Sequence, residues 1–382
     1  MKKSLIAMAA LVATGAFAQS SVTVYGVIDA GYTRDGGGPA GASVNRLDSG
    51  IASGSRLGFR GVEDLGGGLK ANFVAETGFC ADSNAGAPNF CTGGNNFMGR
   101  QATVGLSGGF GAADLGRQYT PAFGVLATID PFSTGTAGQI GNLFDSAGGY
   151  AGAGANSGNP RMNNAIKYSS PNISGFSASV AYGFGEVVNN SSAGRNIGFN
   201  AEYSNGPIYV GLGYHSAKGG AATAAVLPGT GPFTLNPVTG AVAQTGSPAS
   251  LQDERKNVII GATYDFGVAK AHFAYGTTRN SAGNSLAGIN NGDGRNLMLG
   301  VSAPVGAGSV RASYIRHDDK GAANLDASQI GIGYFYSLSK RTTLYTAYAK
   351  ISNSNGGFYT VGNAGNSGIG NSAFNLGVRH TF

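Results

Sequence analysis

Proton-transfer and nucleophilic chemistry need a histidine, cysteine or carboxylate held beside its partner, and this chain offers few of them. Its four histidines, His215, His272, His317 and His380, lie far apart in sequence, and no G-x-S-x-G nucleophile turn surrounds any of them. His380 also shares a two-residue rhythm with Val378 and Phe382, a poor setting for a general base. The two cysteines, Cys80 and Cys91, stand in the Gly/Asn/Pro-rich stretch FCADSNAGAPNFCTGG with no histidine or further cysteine nearby. In an exported chain that pattern speaks for a disulfide closing a surface loop and against a metal centre. The residues thus imply no catalytic site, no metal and no cofactor.

Charge is sparse. Only 12 % of residues are charged, against the ~25 % usual in soluble domains, while the chain holds 67 Gly, 20 Phe, 17 Tyr and no Trp. The net charge is +6, with two of the cations at Lys2 and Lys3. The remaining ones are scattered, without a basic run suited to nucleic acid, so no nucleic-acid partner is expected.

The opening MKKSLIAMAALVATGAFAQS combines those two lysines, an apolar run from Leu5 to Val12 and the small-x-small site Ala16-Phe17-Ala18. This is the pattern of a cleaved secretory signal peptide over residues 1–18, leaving 19–382 as one mature domain. No later stretch reaches 18 consecutive apolar residues, so no transmembrane helix is expected. An exported chain that is glycine- and tyrosine-rich, poor in charge and free of long apolar runs points to strands closed on themselves in lipid. There the interstrand ladder satisfies every backbone polar group.

The connections set the strand number. Short segments rich in turn residues fall at 64–68, 107–113, 170–175, 204–207, 265–267, 304–309 and 337–341. Longer polar segments fall at 35–55, 78–99, 119–160, 185–195, 217–255, 279–295, 317–327 and 353–371. Seven turns and eight loops separate sixteen strands, which predicts an all-β fold: a 16-stranded antiparallel transmembrane β-barrel. Alternation assigns the faces: Phe176, Ala178, Val180 and Tyr182, or Val258, Ile260, Ala262 and Tyr264, belong to lipid, and Ser177, Ser179, Asn257 and Thr263 to a wet lumen. Tyr25, Tyr32, Tyr203, Tyr209, Tyr214, Tyr334 and Tyr336 are expected in the interfacial girdles. The final AFNLGVRHTF places Phe374, Leu376, Val378, His380 and Phe382 on one side, so the last strand is expected to face lipid and to pair with SVTVYGVIDAGY, closing the barrel at Phe382.

Sixteen strands leave an aqueous channel. The third long segment, 119–160, contains YTPAFGVLATIDPFSTGTAGQIGNLFD, too apolar for a loop in bulk water. Phe123, Val125, Leu126 and Ile129 predict a short helix that folds inward against the wall.

Taken together, the signal peptide, VTVYGVIDAGY, SRLGFRGVEDLGGGLKANF, VGLSGGFGAADLGRQ, LSKRTTLY and the terminal LGVRHTF resemble the Gram-negative general diffusion porins, especially their β-proteobacterial outer-membrane branch. The resemblance implies a homotrimer in outer-membrane lipid. Each barrel would be narrowed by its inward third loop and would pass ions and small hydrophilic solutes by passive diffusion, with no reaction catalysed. It also implies an eyelet with a basic wall at Arg56, Arg100 and Arg161 and an acidic loop residue at Asp130. The loop tip reads PFSTGTAG, without the glutamate that related porins often carry there. By alternation Arg56 and Arg161 face the lumen, whereas Arg100 shares its side with Ala102, Val104 and Leu106 and rests on the resemblance alone. Arg60 and Lys70, on polar faces, are further lining candidates, and Arg117, which begins the loop, is both a lining candidate and a candidate anchor for the loop. Several arginines against one aspartate predict a weak anion preference. A substrate-specific channel, or an adhesin using the long Gly/Ala/Thr/Pro-rich segment 217–255, would use the same barrel.

Overall fold

A computed structural model describes residues 21–82, 97–144, 160–218, 234–235, 242–243, 254–280, 293–321, 324–357, 359–366 and 368–382 of the chain. Sixteen strands form the wall. These are β1 (Ser21–Gly36), β2 (Arg56–Gly66), β3 (Leu69–Gly78), β4 (Gln101–Gly108), β5 (Gly111–Tyr119), β6 (Arg161–Ser169), β7 (Phe176–Gly183) and β8 (Asn196–Asn205), followed by β9 (Ile208–Lys218), β10 (Glu254–Asp265), β11 (Lys270–Asn280), β12 (Gly294–Val305), β13 (Gly308–Asp319), β14 (Ala327–Ser337), β15 (Thr342–Asn353) and β16 (Ser372–Thr381). Each pairs antiparallel with the next, and β1 pairs with β16 from Val27↔Thr381 to Gly36↔Ser372, so the sheet has no edge. All seven short turns fall where Gly, Asn, Pro and Ser predict them; Gly67 and Gly206 take positive φ in two of them, a conformation that an L side chain resists.

The first long segment is less irregular than its polarity suggests. Val44–Ser49 forms a further short strand that pairs with the outer half of β1, through Ala30↔Ser49 to Asp35↔Val44, while β2 pairs with the inner half. Because β1 is 16 residues long, it rises past the start of β2, and this extra strand covers the ladder that would otherwise be open.

Closure depends on the last residue. Phe382 N donates to Gly26 O and Gly26 N donates to Phe382 O, both at 3.1 Å. The Phe382 ring lies over Gly26, where a Cβ would come within 2.3 Å of it. Phe374, Leu376, Val378 and Phe382 all project outward, as the alternation of the terminal strand requires. Replacing Phe382 by alanine keeps the backbone pair but removes a half-buried ring, which is expected to cost about 1–2 kcal/mol. A lower temperature of transition between folded and unfolded mobility on an unboiled gel would register it.

The lipid-facing rows Val258/Ile260 and Leu297/Leu299/Val301 are exposed on the outside, and Asn257, Ile259, Met298 and Asn296 are buried on the inside. Two tyrosines depart from the expected girdle. Tyr25 hydrogen-bonds to Glu76 on the lumen side, and Tyr209 is buried inside against the third loop, because both lie at inward-facing positions of their strands. Cys80 is disulfide-bonded, and Cys91 lies outside the described residues.

The third loop enters the barrel as predicted. It begins with α1 (Pro121–Ile129), whose N-cap Thr120 accepts from Phe123 N at 3.2 Å with Pro121 in the first turn. Ala122, Val125, Leu126 and Ile129 are fully buried against Tyr209, Ile259 and Ala274 of the wall. Phe123 instead faces sideways and stacks on Tyr119 at 5.0 Å between ring centroids. Glycines at inward positions make the close fit possible. A Cβ at Gly213 would come 2.8 Å from Ala122 Cα, and one at Gly331 would come 2.9 Å from Gly138 Cα. A wall without side chains at those points lets the loop backbone lie directly on the sheet.

Candidate functional site

Arg56 opens β2, Arg100 precedes β4 and Arg161 opens β6, and the fold brings all three to one patch of inner wall. Glu76 of β3 is at its centre. Arg100 Nε donates to Glu76 Oε1 at 2.8 Å, Arg56 Nε lies 3.9 Å from Oε2, and Tyr25 OH donates to Oε2 at 3.0 Å. Tyr119 OH then accepts from Arg100 at 2.8 Å and from Arg161 at 2.5 Å. The Arg161 guanidinium lies over the same ring, 4.4 Å from its centroid. Since Tyr119 stacks on Phe123, the arginine patch is locked to the inward loop. Arg60 lies over the Tyr25 ring and, with Arg56, Glu76 and Tyr119, lines a cavity of about 600 Å³. Lys70 shares the lumen side of β3 with Asn72 and Glu76, nearer the short-turn end.

Arg100 shows why strict alternation failed. It sits one residue before β4, so its backbone is not bound by that strand's in-out order, and its N donates to Glu76 O while the side chain turns inward. In β6 a register shift with Asn164 at φ 49° resets the alternation, burying Met162 inside while Arg161 still reaches Tyr119.

Two expectations are corrected. Of the two roles expected of Arg117 the geometry fits the anchor and not the lining: it is opposite Ala102 on the outward side of β5, binds Gly99 O at 2.5 Å and the Asn163 side chain at the base of the loop, and is not among the residues lining the cavity. Asp130 differs from the expected open acid in its depth, touching only the edge of a second cavity of about 400 Å³ that Lys270, His272 and Arg311 also line. It is 3 % exposed, and its carboxylate accepts from the backbone N–H of Phe132 at 3.0 Å, Thr134 at 2.8 Å and Ile140 at 3.1 Å. The loop bends back on itself after α1, and Asp130 gathers the donors that this bend leaves without partners. Burial pushes its pKa up to about 6, while the three backbone N–H groups and the Arg311 charge pull the other way.

Sequence reasoning missed Glu76, Tyr119 and the wall groups that hold the loop. Arg311 donates to Pro131 O at 2.9 Å and lies over Phe335. His272 Nδ1 is 3.0 Å from Ile129 O. Asn375 accepts from Ala137 N at 2.6 Å, and Gln329 donates to Gly138 O and Gln139 O. Each occupies an inward position on its strand, and that parity was the available signal. Its loop partner was not readable from sequence.

A closed sheet with an apolar exterior, a polar interior and a loop packed across its bore defines a transmembrane β-barrel channel. The comparisons with known proteins make this particular. A family model described as Gram-negative porin matches residues 4–356. The chain is 38 % identical to outer membrane porin protein 32 of Delftia acidovorans and 32 % identical to an outer membrane porin protein of Bordetella pertussis, in both cases across 100 % of each chain. Among solved structures it resembles an anion-selective porin from Comamonas acidovorans at 35 % identity and TM-score 0.72, covering 95 % of this chain and 100 % of that one. The chain belongs to the Gram-negative porin family and is an outer-membrane β-barrel porin.

Proposed function

We propose that the chain, once residues 1–18 are removed, forms a homotrimeric channel through which ions and small hydrophilic solutes diffuse, with a weak preference for anions. The single observation carrying the preference is the convergence of Arg56, Arg100 and Arg161, with Arg60 beside them, around one carboxylate, Glu76. Low-dielectric walls focus that excess positive potential across the bore, so anions meet a lower barrier than cations. The anion-selective porin from Comamonas acidovorans, similar over nearly the whole chain, supports the same sign.

Wall height favours oligomerisation. Strands β4 and β7 have only 8 residues, against 12 in β10, β12, β13 and β15. Eight residues tilted at about 45° rise roughly 19 Å, less than the ~25 Å apolar band of an outer-membrane barrel. The apolar exterior there, including Val104, Leu106 and Leu115, is better covered by neighbouring protomers than by lipid.

Planar-bilayer recording in a KCl gradient tests this reading. The zero-current potential should carry the anion-selective sign, and the preference should shrink near 1 M salt, where the Debye length is about 3 Å. Conductance should rise with salt without saturating at low concentration. In Arg60→Gln, which removes a cation from the same cavity wall without breaking the buried Arg100–Glu76 pair, anion preference should fall about twofold; a cation-selective potential in the unmodified protein overturns the proposal.

A further inference from the structure

Tyr119 is the last residue of β5, at the entrance to the third loop, and the acceptor capacity of its hydroxyl is filled. Arg100 donates to the oxygen at 2.8 Å and Arg161 at 2.5 Å. A guanidinium group carries N–H donors and no acceptor, so neither arginine can receive the phenolic proton. Among the described residues no other group accepts it either. With both lone pairs engaged, the O–H bond must point away from the two arginines. Tyr119 also lines the cavity of about 600 Å³, together with Arg56, Arg60 and Gln101, so its open side belongs to whatever occupies that space.

The ring cannot easily turn the proton elsewhere. Phe123 stacks on it with the planes 11° apart, and the Arg161 guanidinium lies over it, 4.4 Å from the centroid. Two charge-assisted bonds to the oxygen polarise the O–H and strengthen it as a donor. The result is a neutral donor, fixed in place, beside a positive wall.

We propose that Tyr119 is a specificity-determining residue of the channel, its O–H donating a hydrogen bond to the passing anion and favouring strong acceptors over weak ones of like size and charge. The assignment rests on the anion preference proposed above and adds a second criterion to it. A focused positive potential sorts ions by charge, whereas a fixed hydroxyl also ranks anions of one charge by the basicity of their accepting atoms. Formate and nitrate are both small planar monoanions. Formate, the conjugate base of the weaker acid, is the better acceptor.

Zero-current potentials with potassium formate on one side of a planar bilayer and potassium nitrate on the other give the formate-to-nitrate permeability ratio. It should fall about threefold in Tyr119→Phe, which keeps the ring contacts and loses only the hydroxyl. O-methyltyrosine incorporated at position 119 separates donation from arginine positioning, because its ether oxygen still accepts from Arg100 and Arg161 but carries no proton. The ratio should fall there too. An unchanged ratio in both proteins, or a ratio lowered by Tyr119→Phe and restored by O-methyltyrosine, overturns the proposal. Unchanged heat-dependent gel mobility verifies folding; should Tyr119→Phe not fold, the O-methyltyrosine protein decides by the same ratio. The ratio is read whichever sign the KCl potential takes, so failure of the anion preference and failure of the hydroxyl contact give different results.

Discussion

Replacing Arg56 and Arg161 together by glutamate is expected to reverse the sign of the zero-current potential in a KCl gradient. Arg56 lines the cavity beside Glu76, and Arg161 lies directly behind it on Tyr119, whose hydroxyl and ring it contacts. At an effective dielectric constant near 20 and a separation of about 8 Å, one unit charge changes an ion's energy by about 2 kcal/mol before screening. Two charge reversals therefore exceed the ~1.4 kcal/mol that corresponds to a tenfold change in relative permeability, even after salt takes a large share. Arg100 is left intact in this variant because it is 6 % exposed and paired to Glu76 at 2.8 Å. Removing one partner of a buried pair strands the other charge and would confuse selectivity with stability. An anion-selective potential surviving the double reversal would show that the patch does not set the preference.

Asp130→Ala carries the second large effect, and its outcome separates two roles for that residue. An acid facing the bore would, when removed, raise anion preference with little change in the loop. A carboxylate that holds three backbone N–H groups should instead release the loop, since each buried donor without an acceptor costs about 1–3 kcal/mol. The expected result is added open-channel noise, faster proteolysis within 131–144 and passage of larger solutes. The change in reversal potential should be smaller than that of Arg161→Ala. Acid should act in the opposite direction on the unmodified protein. Burial holds the folded-state pKa at about 6, above the ordinary range of an aspartate, so the native loop binds the proton more tightly than the unfolded chain does. The part of loop stability that comes from this tighter proton binding is full below about pH 4 and is lost as the pH rises through about 6, while the three N–H contacts to the carboxylate remain. Open-channel noise should therefore increase between pH 4 and pH 7 and show no such step in Asp130→Asn.

The contrast between Asp130 and Glu76 shows how far the sequence could be read. A loop aspartate beside PFST was visible, but its use as an internal cap depends on where Phe132, Thr134 and Ile140 turn their N–H groups, and that follows from the fold. Glu76 had the right inward parity, yet its importance comes from Arg100 and Tyr119 arriving from β4 and β5. The outward place of Arg117 was not readable because irregular register at the end of β5 broke the two-residue order.

Other features were written locally. Turn residues set seven short connections, alternation in AFNLGVRHTF gave the last strand its lipid side, and the apolar run after Tyr119 gave the inward helix. Turn preference and side-chain period act over a few residues, so the order of amino acids alone determined the sixteen-strand count and the two solvents of the sheet. Only the closed structure decided which charges meet across the bore and which glycines admit the loop backbone to the wall. Those pairings join strands far apart in the chain, and no local rule carries them.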